Sequence, residues 1–433
     1  MTMIRMNNIT IESLGARGDG IGHLPDGRRV FVLGALPGET VSVALGDSRD
    51  DGVTGYLVDL ARISPGRVMP ACGHFGICGG CVLQHMDETY YYDFKLDQVR
   101  QALARNGLHI DAIDGPYVSP PGSRRRAVMA SYCGPDRLVL GFNEPRSNKI
   151  ADQAECPILH PALQKLVPSL RRALGGILQP GQGMDIAMME SGGAVDMVMR
   201  PWVKVKKDKD HLPRYMAGRL AAFAEEAGLA RLSWQNVATD DTDLMPVAWR
   251  YAFTVNFSGT IVTPPPGAFL QATEAGEKTL VACVLAGLTK KTKKVADLYA
   301  GCGTFTFAMA GAKIKVHAVE GFAPALNALK TAMPGRPVSA ERRDLAKEPL
   351  SPRELNAFDA VVLDPPRVGA ASQAKMLAAS SVPTVVYVSC SAKSFAADAA
   401  VLKQGGYELE KLSVIDQFLW SPHVELVGVF RRA

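Results

Sequence analysis

Cys390 closes the run Pro383-Thr-Val-Val-Tyr-Val-Ser389-Cys390, and the chain turns polar directly after it. An apolar, β-branched stretch of this kind reads as a buried parallel strand. In open α/β sheets ligands gather outside the carboxyl ends of the strands, where a nucleophilic thiol is useful. Thirty-five residues on, His423-Val424-Glu425 opens a second apolar run, Glu425 to Phe430, and supplies a carboxylate. A thiol and a carboxylate beside a nucleotide-like cofactor suffice to add to a base and later remove a proton. Alone, Cys390 reads as an inert core thiol, because free cysteine is among the most buried residue types. The motifs around it reverse that reading.

The first is Lys294-Val-Ala-Asp297-Leu-Tyr299-Ala-Gly301-Cys-Gly303-Thr-Phe-Thr306, a strand, a glycine turn and a helix start. Gly301 and Gly303 let the backbone turn tightly and approach a ligand. A dinucleotide fingerprint would want a third glycine where Thr306 stands. Glu320 ends the next strand, Ile314 to Glu320, where a carboxylate suits two ribose hydroxyls. Asp344 lies where a third strand would end and could accept from an adenine amino group. Phe358-Asp-Ala-Val-Val-Leu-Asp364-Pro-Pro-Arg367 is a fourth strand running into a rigid double-proline turn. Each carboxylate alone reads as a helix cap or a solvated turn. The ordered set resembles a class I S-adenosylmethionine (SAM) methyltransferase.

Three cysteines cluster in Cys72-Gly-His-Phe-Gly-Ile-Cys78-Gly-Gly-Cys81, where two glycines let neighbouring thiolates converge. Cys156, in Glu155-Cys156-Pro157, is the best fourth ligand, and cysteine followed by proline ends several iron–sulfur ligand runs. Four thiolates suit zinc equally well, so spacing leaves zinc and an iron–sulfur cluster open. His74 and His85 read as bystanders. Eight cysteines with no secretory leader argue for metal or catalytic use rather than a disulfide framework, hence for the reducing cytoplasm. With 47% hydrophobic and 21% charged residues the chain is an ordinary globular protein, and no stretch is long enough to span a membrane. A net charge of +5 permits a nucleic-acid partner without demanding one.

The 433 residues suggest two to three domains, expected here as 1–65, 66–265 and 266–433. From Ile9 to Ile63 short β-rich runs (Arg29–Leu33, Glu39–Ala44, Gly55–Asp59) alternate with Pro-Gly and Asp-Gly turns, which fits a small antiparallel barrel. Tyr90 to Leu108 carries helical spacing and could pack on the C-terminal domain. Ser123 to Tyr132 with Arg137 to Phe142 reads as a hairpin. Arg124, Arg125 and Arg126 at its start are a solvated edge, or phosphate ligands beside a nucleic-acid site. The basic run Lys204 to Lys209 reads as a loop.

Together these features resemble the RNA uracil-C5 methyltransferase family, in the branch with an N-terminal TRAM barrel and a four-cysteine [4Fe-4S] cluster. The resemblance covers nearly the whole length. It rests on the barrel, the four cysteines, Leu140-Gly-Phe142, Ser147-Asn-Lys-Ile150, Phe269-Leu-Gln271, Asp297 to Gly303, Asp364-Pro-Pro-Arg367, Val388-Ser-Cys390 and His423-Val-Glu425. It implies an α/β fold with a Rossmann-like C-terminal domain, an OB-like N-terminal barrel and a central α+β domain carrying the cluster. It implies Cys390 as nucleophile and Glu425 as base. It assigns SAM to Gln271, Tyr299, Gly301, Glu320, Asp344 and Asp364, and the cluster to Cys72, Cys78, Cys81 and Cys156. The chain departs from the family's pattern at Thr273, usually asparagine, and at Ser391-Ala392, usually Asn-Pro. The implied substrate is RNA, with rRNA favoured over tRNA because the tRNA branch commonly lacks barrel and cluster. A cytoplasmic monomer is expected. Three other classes fit less well. A radical-SAM enzyme would carry C-x3-C-x2-C where this chain has C-x5-C-x2-C. A binding protein with a decayed site would not need Cys390 and Glu425. A small-molecule methyltransferase would not need the barrel.

Overall fold

The computed structural model describes residues 4–49, 51–202, 212, 214–235 and 244–432; the basic run Lys204 to Lys209 lies outside them. The described chain forms two compact units. One is Met1–Gln98 with Phe142–Ala151 and Phe418–His423; the other is Val99–Gly141 with Asp152–Gln417 and Val424–Ala433.

In the first unit, strands β1 (Arg5–Leu14), β2 (Asp19–His23), β3 (Arg29–Leu33), β4 (Thr40–Arg49) and β5 (Gly52–Arg62) close a barrel in the order β1-β2-β3-β5-β4. All pairs are antiparallel except β3 with β5. Period-two alternation sends Ile9, Ile11, Val30, Val32, Val41 and Val43 inward to make its core. A Cβ at Gly22 would stand 2.5 Å from the Thr10 carbonyl, so β1 and β2 approach this closely only because position 22 has none. Buried Glu39 is paired with the Arg67 guanidinium at 2.6 Å, fixing the chain that leads away from the barrel.

The second unit is built on two sheets. Strands β7 (Arg126–Cys133), β8 (Leu138–Asn143), β9 (Ile150–Asp152), β10 (Gly183–Ser191), β11 (Ala194–Pro201), β12 (Arg231–Gln235) and β13 (Leu244–Trp249) run in the order β13-β12-β11-β10-β7-β8-β9. After the hairpin β14 (Val255–Phe257) and β15 (Thr260–Val262) comes the sheet that matters for chemistry. It contains β16 (Lys294–Leu298), β17 (Lys315–Glu320), β18 (Val338–Arg342), β19 (Ala360–Leu363), β20 (Thr384–Ser389), β21 (Tyr407–Asp416) and β22 (Glu425–Arg432). Its order is β18-β17-β16-β19-β20-β22-β21, and β6 (Asp114–Val118) adds a parallel edge strand against β21. β19 and β20 are buried at every position, which is why they read as unbroken apolar runs.

The strand order reverses between β16 and β19, the switch point at which open α/β sheets bind ligands. Only β22 runs against the others. Its first residue therefore lies at the edge where the parallel strands end.

The helix expected over 90–108 spans Glu88–Arg105, and Gly107 follows it with φ 67. Arg124 and Arg125 precede β7 rather than opening it. β6 falls in the stretch assigned from sequence to the central segment, yet it completes the C-terminal sheet. Among the described residues no helix is long and apolar enough to cross a membrane.

Candidate active site

The loop after β16 is shaped by three left-handed residues, Tyr299 (φ 62), Gly301 (φ 55) and Gly303 (φ 103). A Cβ at Gly303 would meet the Phe307 ring at 2.5 Å, so glycine is required there. At Gly301 the same Cβ would meet nothing within 4 Å, and the backbone faces open space that a ligand can fill. Glu320, at the end of β17, takes the Gly301 N–H on one oxygen at 2.8 Å and the Phe322 N–H on the other at 2.6 Å. Both carboxylate oxygens are thereby aimed, with lone pairs left for hydroxyl donors.

Asp297 is buried and receives the Thr306 hydroxyl on one oxygen, while the other has no hydrogen-bond partner. Burial, aided by Asp364 and Glu320, pushes its pKa up to about 7. An unmatched buried oxygen beside a glycine cradle and a two-oxygen ribose acceptor fits a cationic nucleoside such as SAM. Burial, then the charges of Asp398, Asp344 and Glu320, push the Tyr299 phenol up to about 12. Asp344 is exposed, two residues beyond β18, and is engaged by the Ala346 N–H at 3.1 Å and Lys347 Nζ at 3.2 Å. Of the expected SAM residues it is the least enclosed.

Cys390 follows β20 and is half-buried; Glu425 opens β22 and is only 3% exposed. Pairing of Ser389 with Leu426 brings the two to the same edge. Burial pushes the Cys390 thiol up to about 11, helped by Glu425 and Asp364 and opposed by Arg367. Burial and Asp364 raise Glu425 to about 8, while a Gln417 hydrogen bond and Arg126 pull it back. Asp364 is lifted by burial to about 7 and receives Gln271 Nε2 at 3.3 Å. Thiol, carboxylate and the expected cofactor residues Gln271 and Asp364 thus share one electrostatic pocket.

Two further residues reach this pocket: Gln417, which was not singled out from sequence, and Arg126, which from sequence reads only as a solvated edge or a phosphate ligand. Gln417 lies one position past β21, and Arg126 opens β7. The signal for Gln417 was its place at a strand's carboxyl end. The triple arginine does not act as one basic edge. Arg125 is buried, pairs with Glu277 at 2.6 Å and donates to the Gln271 carbonyl at 3.1 Å. Arg124 donates to the Arg126 carbonyl at 3.0 Å. Arg126 lies 4.2 Å from the centroid of Phe269, whose ring is 60% exposed. Burial, then Arg124, lowers Arg126 to about 10, and the charges of Glu425 and Cys390 oppose the fall.

The two departures are conservative in physical terms. Thr273 is the N-cap of helix Glu274–Gly287 and accepts the Gly276 N–H at 2.9 Å. Ser391 is the N-cap of helix Ala392–Gln404 and accepts the Ser394 N–H at 3.3 Å. Threonine and serine cap as asparagine does.

Cys72, Cys78 and Cys81 belong to the first unit and Cys156 to the second. Backbone N–H groups of His74 and Gly80 reach the sulfurs of Cys72 and Cys78, each at 3.4 Å. Among the described residues no three His, Cys, Asp or Glu side chains are grouped as a metal site requires.

Comparison with known proteins converges on one chemistry. Residues 350–433 match the tRNA (Uracil-5-)-methyltransferase family, and residues 6–58 match the TRAM domain. An RNA methyltransferase of Caulobacter vibrioides is 38% identical over 99% of this chain and 100% of its own. The 23S rRNA (uracil(1939)-C(5))-methyltransferase of Halomonas elongata is 32% identical over 96% of this chain and 88% of its own. The fold matches the tRNA (uracil-54, C5)-methyltransferase of Pyrococcus abyssi, solved with S-adenosyl-L-homocysteine, with a TM-score of 0.74 and 21% identity over 98% of this chain and 99% of that one.

Proposed function

The chain belongs to the SAM-dependent RNA uracil-C5 methyltransferases, and on that premise we propose that it methylates a uridine of 23S rRNA through a covalent adduct of Cys390 with C6. The observation that carries this reading is the Cys390–Glu425 pair at the carboxyl edge of the sheet, joined through Gln417 and Gln271 to Asp364. The Halomonas relative, similar over 96% of this chain, favours 23S rRNA. A tRNA uridine is the second reading, favoured by the family matched at residues 350–433.

SAM, when bound, supplies an electrophilic methyl sulfonium, and Gln271, Tyr299, Gly301, Glu320, Asp344 and Asp364 are the residues that would hold it. C5 of uracil is too weak a nucleophile to attack such a methyl unaided. Cys390, a thiol at rest, gives up its proton to solvent, the charge of the thiolate being favoured by Arg126 and Arg367 against burial, and its sulfur bonds to C6. The C5–C6 π pair moves onto C5 and O4, and C5 would take the methyl as the sulfonium's S–CH3 bond breaks and its electron pair stays on the departing neutral thioether. Glu425, ionised, then removes the C5 proton; that electron pair restores C5=C6 and expels the Cys390 thiolate. The base must leave its stack to expose C5 and C6. Phe269, backed by Arg126, offers it a face on which to lie.

We further propose that Cys72, Cys78, Cys81 and Cys156 hold a [4Fe-4S] cluster, on the family resemblance and the spacing of Cys72, Cys78 and Cys81. No step above depends on it.

Mass spectrometric mapping of 5-methyluridine in rRNA and tRNA from a deletion strain is the decisive test. Loss at one 23S rRNA position supports the proposal, and loss confined to tRNA selects the second reading. Unchanged 5-methyluridine in both RNAs would overturn it.

A further inference from the structure

On β7, alternate side chains share one face of the sheet, so Arg126, Val128, Ala130 and Tyr132 lie in a row. The row begins at the catalytic pocket with Arg126 and runs about 20 Å along the strand. Val128 is 51% exposed and Tyr132 38% exposed, unusual for large apolar groups on a strand otherwise packed inside. Beside Tyr132 lies Trp202, 42% exposed, its ring centroid 6.3 Å from that of Tyr132 and inclined by only 17°.

The six-membered ring of the indole lies over Gly183. Gly183, the β10 partner of Tyr132, lacks the Cβ that would stand 2.4 Å from Trp202 Cε3. The Trp202 indole nitrogen donates to Asp185 at 2.9 Å, and its backbone N–H donates to the Gly183 carbonyl at 2.9 Å. A ring fixed on one side by backbone and open on the other is a stacking platform that loses little entropy when a base lands on it. Positive charge lies on the same face: Arg126 at one end, and Arg200 across from Asp185 with a buried Nε that has no hydrogen-bond partner.

We propose that this face, from Arg126 to the Tyr132–Trp202 stack, binds the single-stranded RNA flanking the target uridine, with a flanking base stacked on Trp202. The inference rests on RNA being the substrate. Continuity with the catalytic pocket, exposed aromatic surface and positive charge all fit a nucleic-acid strand, since every base has a π face to stack.

The test is fluorescence anisotropy with a fluorescein-labelled oligouridylate, alongside KM and kcat for methylation of unmodified 23S rRNA. Trp202→Ala and Tyr132→Ala should each weaken oligouridylate binding about five- to a hundredfold, the range expected for one lost stacked base. KM should rise in parallel, while kcat and SAM affinity hold. Trp202→Phe, which keeps a ring, should recover most of the loss. Unchanged oligouridylate affinity overturns the inference, as does a Trp202→Phe variant as defective as Trp202→Ala. So does a native protein that sediments as a dimer and falls apart on Trp202→Ala, since a second copy would then cover this face. Oligouridylate binding is read without turnover, so a protein that methylates no rRNA defeats the proposed function and leaves this inference to stand or fall by its own measurement.

Discussion

Gln417 Nε2 donates to Oε1 of Glu425 at 3.1 Å, and the same nitrogen donates to Oε1 of Gln271 at 2.6 Å. The other end of the amide accepts the Ala272 N–H at 2.8 Å, so turning it over would break all three contacts. Gln271 is therefore held with its own NH2 toward Asp364. Glu425, buried among carboxyls, keeps one donor that favours its ionised form. Gln417→Met keeps the volume and removes the donors. Without that hydrogen bond the Glu425 pKa should climb further above about 8. Because the base must be ionised, the rising limb of the kcat–pH profile should move toward alkaline pH by about one unit, the worth of one charge-assisted bond. An unshifted limb would show that Gln417 does not act through Glu425.

Three carboxyls in the pocket have raised pKa values: Asp297 and Asp364 at about 7 and Glu425 at about 8. Unfolded, each would titrate near its ordinary value of about 4. The folded state therefore binds more protons than the unfolded state between about pH 4 and 8. Stability from these groups is full below pH 4 and is lost as pH rises through 7 and 8. Thermal melts of the SAM-free protein should show Tm falling between pH 5 and 8. Glu425→Gln should flatten the fall and raise Tm at pH 8 by about 1 °C per kcal/mol recovered. A Tm that rises over this interval in both proteins would contradict the assignment.

Glu425→Gln should also separate two chemical steps. Addition of Cys390 and methylation at C5 precede proton removal, so the variant should stall with RNA attached to Cys390. A denaturing gel should show the retarded band, and Cys390→Ala in the same background should abolish it. Native enzyme with 5-fluorouridine RNA should give the same band, because fluorine cannot leave as a proton does. Full turnover by Cys390→Ala would remove covalent catalysis from the scheme.

Glu320→Ala tests the cofactor loop. The carboxylate both receives the Gly301 N–H and is aimed for ribose hydroxyls, so its loss should weaken SAM by about 1.5–3 kcal/mol in calorimetry. RNA binding should be unaffected. Unchanged SAM affinity would return Glu320 to the role of a turn acceptor.

What the sequence made legible was local. Cys390 and Glu425 could be placed because each sits at the end of an apolar run, and strand polarity alone decides which edge a strand end occupies. Glu320 was legible for the same reason. Gln417 was not, and Arg126 reads from sequence only as a solvated edge or a phosphate ligand, because their surroundings depend on partners distant in the chain: Gln271 for the former, Phe269 and Glu425 for the latter. Three adjacent arginines look alike in sequence. Backbone register alone divides them between a buried ion pair, a carbonyl contact and the pocket of Cys390 and Glu425. β6 was illegible as part of the C-terminal sheet because its partner β21 lies about three hundred residues away, and edge pairing leaves no periodic trace.

The cysteine loop gives the remaining prediction. The sulfurs of Cys72 and Cys78 accept the backbone N–H groups of His74 and Gly80. A [4Fe-4S] cubane needs four thiolates and equal amounts of iron and sulfide. Protein purified without oxygen should be brown, with iron and acid-labile sulfide in roughly equal amounts, and Cys78→Ser should lose most of both. Since ligand binding to the folded form stabilises it by mass action, stripping the iron should lower the thermal midpoint. The SAM affinity of the second unit should stay unchanged, because Gly301, Glu320 and Asp364 all belong to that unit. Stoichiometric zinc in place of iron would replace the cluster with a structural thiolate site, and a metal-free protein with an unchanged melt would remove the site altogether.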